Sequence, residues 1–333
     1  MARPVTMSDL ARSLGVSRSA VSFALNNENQ VSAETRRRVL EKAAELGYRP
    51  NAGARALASQ TTGLYGLVTD IVTTPFAGDL IAGAQEAFWR QGKSLIIAGT
   101  KTPDRPDRRS LEMMLEHRVG GVLVATTWNR TIKVPDVLDG IPMALVHCTD
   151  VDGRYPSVLP DEVAGGYEAG SLLASNGRKR IAMINLPADL TAAEGRRAGF
   201  ESALKDAGVP YDPALVVTGG ADATDGYLAA KRLLAQSPAP DGIFCANDRL
   251  AMGAYDAIRD AGLSIPGDIA VVGFDNQEII SNFLRPALTT ISLPFREMGR
   301  IGAELLMKME AGEEGPRETV VVSCPTVIRE SAR

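Results

Sequence analysis

Residues 15–27 read GVSRSAVSFALNN, and within two helical turns they offer one guanidinium, Arg18, and three hydroxyls, Ser17, Ser19 and Ser22. A guanidinium presents a rigid fork of donors and a serine hydroxyl suits an oxyanion. The chemistry on offer is therefore recognition by hydrogen bonding, not bond making. Thr6 and Ser32 add two more hydroxyls nearby. Elsewhere the reactive residue types are sparse. Cys148, Cys245 and Cys324 sit far apart in apolar segments and read as buried, reduced thiols, and His117 and His147 are too few and too distant for a zinc site. No G-x-x-x-x-G-K-[ST], no G-x-S-x-G and no G-x-G-x-x-G after a first strand is present, and no nucleophile lies beside an evident base. The expectation is a protein without catalysis, cofactor or metal.

The elements that must position Arg18 are short helices. Thr6 or Ser8 can cap a first one, with Leu10, Ala11 and Leu14 facing a core and Gly15 as its left-handed stop. Ser17 caps a second helix that buries Ala20, Val21, Ala24 and Leu25, and Ser32 opens a third that buries Val39, Leu40, Ala43 and Leu46. Helix, glycine turn, helix is the arrangement that lays its second helix in the major groove of DNA with its first residues against base edges. Arg18 and Ser19 then face bases, where arginine can pair bidentately with guanine, while Thr6, Ser17, Ser22 and Ser32 suit phosphate oxygens. Charge agrees. Residues 1–60 carry nine Lys/Arg against five acids, so the rest of this chain of net charge −4 has a surplus of eight negative charges. A basic head on an acidic body fits a polyanionic partner at one end.

Residues 51–60, NAGARALASQ, form a helix-capable linker too short to be stable alone in water. From Leu64 onward strands alternate with helices in two sets, 64–160 and 162–290, among them helix 77–91, strand 120–126, helix 162–175, helix 194–207 and strand 269–275. That alternation argues two doubly wound, Rossmann-like subdomains, with a ligand cleft beyond the carboxyl ends of the strands. With 333 residues, 45% of them hydrophobic, the chain can bury such a core. Neither a leader-like start nor an apolar run of spanning length is seen, so a cytoplasmic, nucleoid-associated protein is expected.

The stretch VTMSDLARSLGVSRSAVSFALNNENQVSAETRRRVLEKAAELGYRPNAGARALAS resembles the LacI/GalR family of bacterial transcription regulators, and the similarity continues through RIAMINL, RRAGFESALKDAG, GIFCANDRLAMGAYDAIRDAGLSIPGDIAVVGFDN, PALTTISLPFREMGRIGAELL and VIRES. The resemblance implies a head (1–50), a hinge helix (51–62) and an effector-binding, dimerising body (63–333). Its N-subdomain would take about 63–161 and 292–320, and its C-subdomain about 162–291 and 321–333. By the same resemblance Arg18, Ser19 and Ala20 are base-reading positions, and Asn26, Gln30, Tyr48, Asn51 and Arg55 lie near the DNA backbone or hinge. Leu57 would wedge into the minor groove at the operator centre. Ala20 replaces the family's usual threonine, and Phe23 stands where many members are polar; it touches a thymine methyl or packs inward.

In the body the resemblance places Asp70, Pro75, Phe76, Arg196, Asn247 and Asp275 around the effector, with Trp128 as a further ring face; the alternatives are a plain interdomain salt bridge for Arg196 and Asp275 and simple packing for Trp128. His147 stands where many sugar-binding members have an acid, Ala221 where several have an aromatic platform, and Asp161 is either a ligand contact or a hinge anchor. A saccharide or its phosphate is the implied effector class. No heptad helix follows VIRES, so a C2 dimer on a pseudo-palindromic operator is expected. The alternative is a solute-binding protein with an accessory DNA-binding head.

Overall fold

The structure, a computed structural model, describes residues 5–25, 30–48, 62–70, 75–100, 106–138, 140–313 and 319–333. Two compact units divide the chain at Thr62/Gly63.

The first unit holds three helices, α1 (Met7–Leu14), α2 (Arg18–Leu25) and α3 (Ala33–Glu45). Thr6 caps α1 in a reciprocal box with Asp9, and Gly15 ends it at φ 64°, where a side chain would be strained. Ser17 accepts from the Ala20 amide at the start of α2, and Ser32 accepts from the Thr35 amide at the start of α3. Leu10, Ala11, Val21, Ala24, Val39 and Ala43 form the buried core. Two expectations shift here. Ala20 is half-buried rather than core, and Leu40 points outward at 49% exposure.

The second unit contains two six-stranded sheets. The first comprises β1 (Leu64–Thr69), β2 (Ser94–Gly99), β3 (Val122–Ile132), β4 (Met143–Asp150), β5 (Ser157–Pro160) and β11 (Val320–Val322), in the order β11-β5-β4-β3-β1-β2. The second comprises β6 (Ile181–Asn185), β7 (Val216–Thr218), β8 (Gly242–Cys245), β9 (Ala270–Asp275), β10 (Thr289–Ser292) and β12 (Thr326–Val327), in the order β12-β10-β9-β8-β6-β7. All pairings are parallel except β10 with β12. The helices are α4 (Pro75–Arg90), α5 (Arg108–Glu116), α6 (Glu162–Ser175), α7 (Thr191–Asp206), α8 (Ala223–Leu234), α9 (Asp248–Asp260), α10 (Glu278–Ser281) and α11 (Phe295–Glu310). Alternation along the strands sends Leu67 and Leu123 to one face, against Leu80, Ala84 and Leu306, and Val68, Val122 and Val124 to the other, against Leu111 and Met114.

The chain passes three times between the sheets, so each sheet receives strands from distant sequence. The last pass comes after β11, two residues beyond the expected crossing at 320. Strand β3 runs to Ile132, beyond the expected end at 126, but its register on β4 shifts between Ala125 and Arg130. Trp128 therefore lies in a bulge within the strand rather than in a loop after it. Helices α6 and α7 cross so tightly that a Cβ on Gly166 would come within 2.1 Å of the Arg196 carbonyl oxygen, and one on Gly199 within 1.9 Å of that of Val163. These two glycines bring the backbone carrying Arg196 against α6.

Candidate nucleic-acid interface and effector cleft

On the first unit, α2 turns Val21 and Ala24 into the core and leaves Arg18 and Ser19 exposed at its first turn. Arg18 has no carboxylate partner among the described residues. Ser17 and Ser32 are exposed with their oxygens accepting cap bonds, which leaves the Ser17 hydroxyl proton to donate. Ser32 also shares a hydrogen bond with the Thr35 hydroxyl. Thr6 differs, because its hydroxyl donates to Asp9 Oδ2 at 2.6 Å and so is committed within the cap. Phe23 is half-buried and is not among the residues packed on the core, whereas Tyr48 packs there. Ser22 is half-buried and Gln30 exposed. Asn26, Asn51, Arg55 and Leu57 lie outside the described residues.

In the second unit the strand ends bring together a buried, charged cluster. Arg196 on α7 is 2% exposed. Its Nε donates to Glu162 Oε2 at 2.7 Å, its Nη1 lies 3.5 Å from Asp275 Oδ1 and donates to the Ala246 carbonyl, and its guanidinium carbon stacks 3.6 Å over the Phe274 ring. Burial would pull the guanidinium's pKa down, yet Glu162 and Asp275 more than offset it and raise the value. Asp275 ends β9 at φ 106°, a conformation L-residues rarely adopt, and its Oδ2 accepts from Gln277 Nε2 at 3.2 Å. Asp248 buttresses that turn by accepting from the Gln277 amide and the Thr290 hydroxyl, both at 2.6 Å. Burial, with Asp275 adding to it, pushes Asp248 well above the usual carboxylate range.

From the first sheet, the β3 bulge carries Thr126–Asn129 over His147, itself at φ 61° on β4. His147 Nδ1 lies 3.1 Å from the Thr126 carbonyl and therefore carries the proton, while Nε2 is 4.0 Å from Glu162 Oε1. Asn129 donates to that same Glu162 oxygen at 3.4 Å. Asp70 Oδ1 accepts from both the amide and the hydroxyl of Thr127 at 2.9 Å, and burial raises its pKa. Phe76 stacks on Phe295 at 4.9 Å, and these rings line a cavity of about 20 Å³ with Thr69, Thr126 and Thr127, room for about one water. Pro75 opens α4, and Trp128 is half-buried against the core.

Two of the expected contact residues also hold helix starts. Asp161 caps α6 through the Ala164 amide at 2.9 Å. Asn247 caps α9 through the Leu250 amide at 2.7 Å while its Nδ2 donates to the Ala221 carbonyl at 3.0 Å, so both ends of its amide are engaged. Sequence reading missed Glu162, Asn129, Asp248, Gln277 and Phe295. A glutamate in the first turn of a helix reads as an exposed acid favoured by the helix dipole, and nothing in the spacing shows that Glu162 is 6% exposed. Cys148, Cys245 and Cys324 are buried free thiols, and burial pushes Cys148 and Cys324 up to about 12.

The cluster titrates in opposing directions. Burial raises Asp275 to about 7, opposed by Arg196 and Gln277, so its contribution to stability is present below pH 4 and is lost as pH rises towards 7. Burial lowers His147 to about 4, against the pull of Glu162, so its contribution is present above pH 6.5 and is lost as pH falls towards 4. Asp275→Asn is expected to flatten the decline of melting temperature between pH 5 and pH 8 relative to the parent, read by calorimetry. An unchanged slope would move the titration to another group.

The profile described as "Bacterial regulatory proteins, lacI family" matches residues 6–51, and that described as "Periplasmic binding protein-like domain" matches residues 171–332. The HTH-type transcriptional repressor PurR of Mannheimia succiniciproducens is 33% identical over 98% of this chain and 98% of its own. Among solved structures, the Lac repressor bound to ONPG in its repressed state is similar with a TM-score of 0.82 at 26% identity, covering 99% of this chain and 100% of that one. A LacI family transcriptional regulator from Enterococcus faecium with bound ribose has a TM-score of 0.66 at 28% identity, covering 81% of this chain and 98% of that one.

Proposed function

This chain belongs to the lacI family of bacterial regulatory proteins, DNA-binding repressors controlled by a small effector, and we propose which of its residues carry each half of that task. Arg18 and Ser19 read base edges from the exposed first turn of α2, with Ala20 and Phe23 offering apolar contact to a thymine methyl. Ser17, Ser22, Gln30 and Ser32 hold phosphates. Thr6 serves the cap first, since its proton already has an acceptor. Asn26, Tyr48, Asn51 and Arg55 add backbone contacts, and Leu57 wedges the minor groove at the centre of a pseudo-palindrome bound by two copies.

The effector half is the cleft around Arg196, Asp275, His147, Asp70 and Phe76. One observation carries this assignment: a buried cluster holding two strained residues, His147 and Asp275, joins side chains from both sheets at their strand ends. A small polyhydroxylated molecule, a sugar or sugar derivative, fits that lining and agrees with the ribose held by the similar E. faecium regulator. Binding there shifts one sheet layer against the other and sets operator affinity through the hinge, on a coupling scale of about 1–3 kcal/mol. The reading assigns no catalysis and places the protein in the cytoplasm. No helix among the described residues is long and apolar enough to cross a membrane.

The test of the DNA half is Arg18→Ala. Specific-site affinity is expected to fall by about 1–3 kcal/mol with relaxed preference at one base pair, read by gel shift on the operator and on base-substituted copies. An equal loss on random DNA would assign Arg18 to phosphate instead.

A further inference from the structure

Asp275 reaches the cleft from a turn that its own backbone does not favour. Asp275 and Asn276 stand consecutively in the left-handed region, at φ 106° and 56°, and neither is glycine. Residues keep such a conformation only where their surroundings over-determine it. Two side chains from elements distant in sequence supply that restraint.

The first is Asp248, fully buried at the start of α9. It reaches across β9 at Gly273, where a Cβ would come within 2.4 Å of its Oδ1, and accepts from the Thr290 hydroxyl on β10 at 2.6 Å. Its Oδ2 accepts from the Gln277 amide, also at 2.6 Å. One oxygen thus grips the neighbouring strand and the other grips the turn. Gln277 passes the restraint on, since its Nε2 donates to Asp275 Oδ2 at 3.2 Å.

The second is Arg329, in the VIRES segment after β12. Its Nη2 donates to Asn276 Oδ1 at 2.7 Å, its Nη1 to the Leu288 carbonyl at 2.8 Å and its amide to the Thr289 hydroxyl at 2.8 Å. The guanidinium therefore ties the second strained residue to the start of β10. Its charge also reaches Asp248, against the upward push of burial and of Asp275 on that carboxyl. The next two residues of the segment work differently. Glu330 accepts from the Ala287 amide at 3.0 Å, while Ser331 accepts from the Thr289 amide at 2.9 Å and donates to the Val271 carbonyl at 2.6 Å. Those bonds fix the segment to the strands and not to the turn.

We propose that Asp248 and Arg329 are positioning residues of the effector site. Asp248 acts through Gln277 and Arg329 through Asn276, and together they set the Asp275 carboxylate 3.5 Å from Arg196 Nη1 before any effector arrives. The proposal rests on the effector reading of the cleft. It gives the VIRES segment a share in the ligand site, although that segment lies more than fifty residues beyond Asp275 in the chain.

Hydrogen exchange of the full-length protein, resolved to single amides by mass spectrometry, reads the turn without a ligand. The Gln277 amide is expected to exchange at least ~10-fold faster in Asp248→Ala and in Arg329→Met than in the parent. Asp248→Asn is expected to restore slow exchange, because its oxygen can accept from the Gln277 amide while its nitrogen donates to the Thr290 oxygen. Arg329→Lys keeps one donor for Asn276 and should restore part of the protection. Ser331→Ala is the control, expected to lower the melting temperature and leave the Gln277 amide slow. Parent-like exchange in both Asp248→Ala and Arg329→Met overturns the proposal, and so does equal opening in Ser331→Ala. If Asp248→Ala does not fold, the Arg329 variants decide. The second arm is calorimetric titration with D-ribose, the sugar held by the similar E. faecium regulator. Its Kd is expected to rise by ~10-fold or more in Arg329→Met and to recover in part in Arg329→Lys, with operator affinity in the absence of ribose unchanged. Parent-like ribose affinity in a variant whose turn has opened overturns the proposal. A parent that takes up no D-ribose, or takes it without a change in operator affinity, counts against the effector reading alone, and the exchange arm then decides the positioning.

Discussion

Arg196→Met is expected to cost about 3–5 kcal/mol of folding stability and to abolish the response of operator binding to effector. The size follows from what the guanidinium holds: Glu162 at 2.7 Å, Asp275 at 3.5 Å and the Phe274 face at 3.6 Å, all in a site that excludes water. Its removal leaves Glu162 and Asp275 buried without a counter-charge, and Asp275, already raised to about 7, then takes up a proton; both charges are costly to keep or to quench there. Combining it with Glu162→Gln removes one of those charges, so the double variant should regain much of the stability lost in urea denaturation while still failing to respond. Operator binding without effector should survive in both, because the head folds on its own core. A folded Arg196→Met protein with a full effector response would move the effector out of this cleft.

A second large effect is expected where the body meets its copy. Ile279 on α10 and Phe283 in the turn after it are 73% and 71% exposed, and Met252 on the neighbouring α9 is 42% exposed. Large apolar side chains left bare on a single copy mark a contact surface, and the similar Lac repressor is a dimer on its operator. Phe283→Asp is expected to weaken dimerisation by about 2 kcal/mol or more, seen as monomer in sedimentation, without lowering the stability of the monomer that exposes it. Operator affinity should fall by ~100-fold with it, because two half-sites are then no longer bound by linked heads. A dimer unchanged in mass at low concentration would place the interface elsewhere.

Much of this architecture was legible in the chain itself because its signals are local. Capping residues, the left-handed Gly15 and the spacing of Leu10, Val21 and Val39 specify three helices without help from distant residues. Helix 162–175 was placed to the residue, since its apolar run begins directly after a capping aspartate. Boundaries were weaker where tertiary contacts override pattern. Strand β3 continues past 126 only because β4 offers it a partner again after the bulge, and α7 starts at Thr191, three residues before the expected 194. The short strands β5, β10 and β11 went unread because three or four residues carry almost no periodicity, and the strand expected at 327–331 is paired only at Thr326–Val327.

The sequence by itself determined the head, its basic charge, the outward Arg18 and the alternation that makes two parallel sheets, for each follows from neighbours within a few residues. Only the tertiary structure decided what the cleft is. Glu162, Arg196 and Asp275 stand far apart in the chain, and their pairing depends on the close α6–α7 crossing at Gly166 and Gly199 and on the turn at Asp275. Which helix Asn247 caps, which carboxylates Arg196 pairs with, and whether His147 Nδ1 or Nε2 carries the proton are questions of partner and burial. Residue type and spacing do not encode those answers, because burial sets the cost of an unpaired charge and the fold alone sets burial.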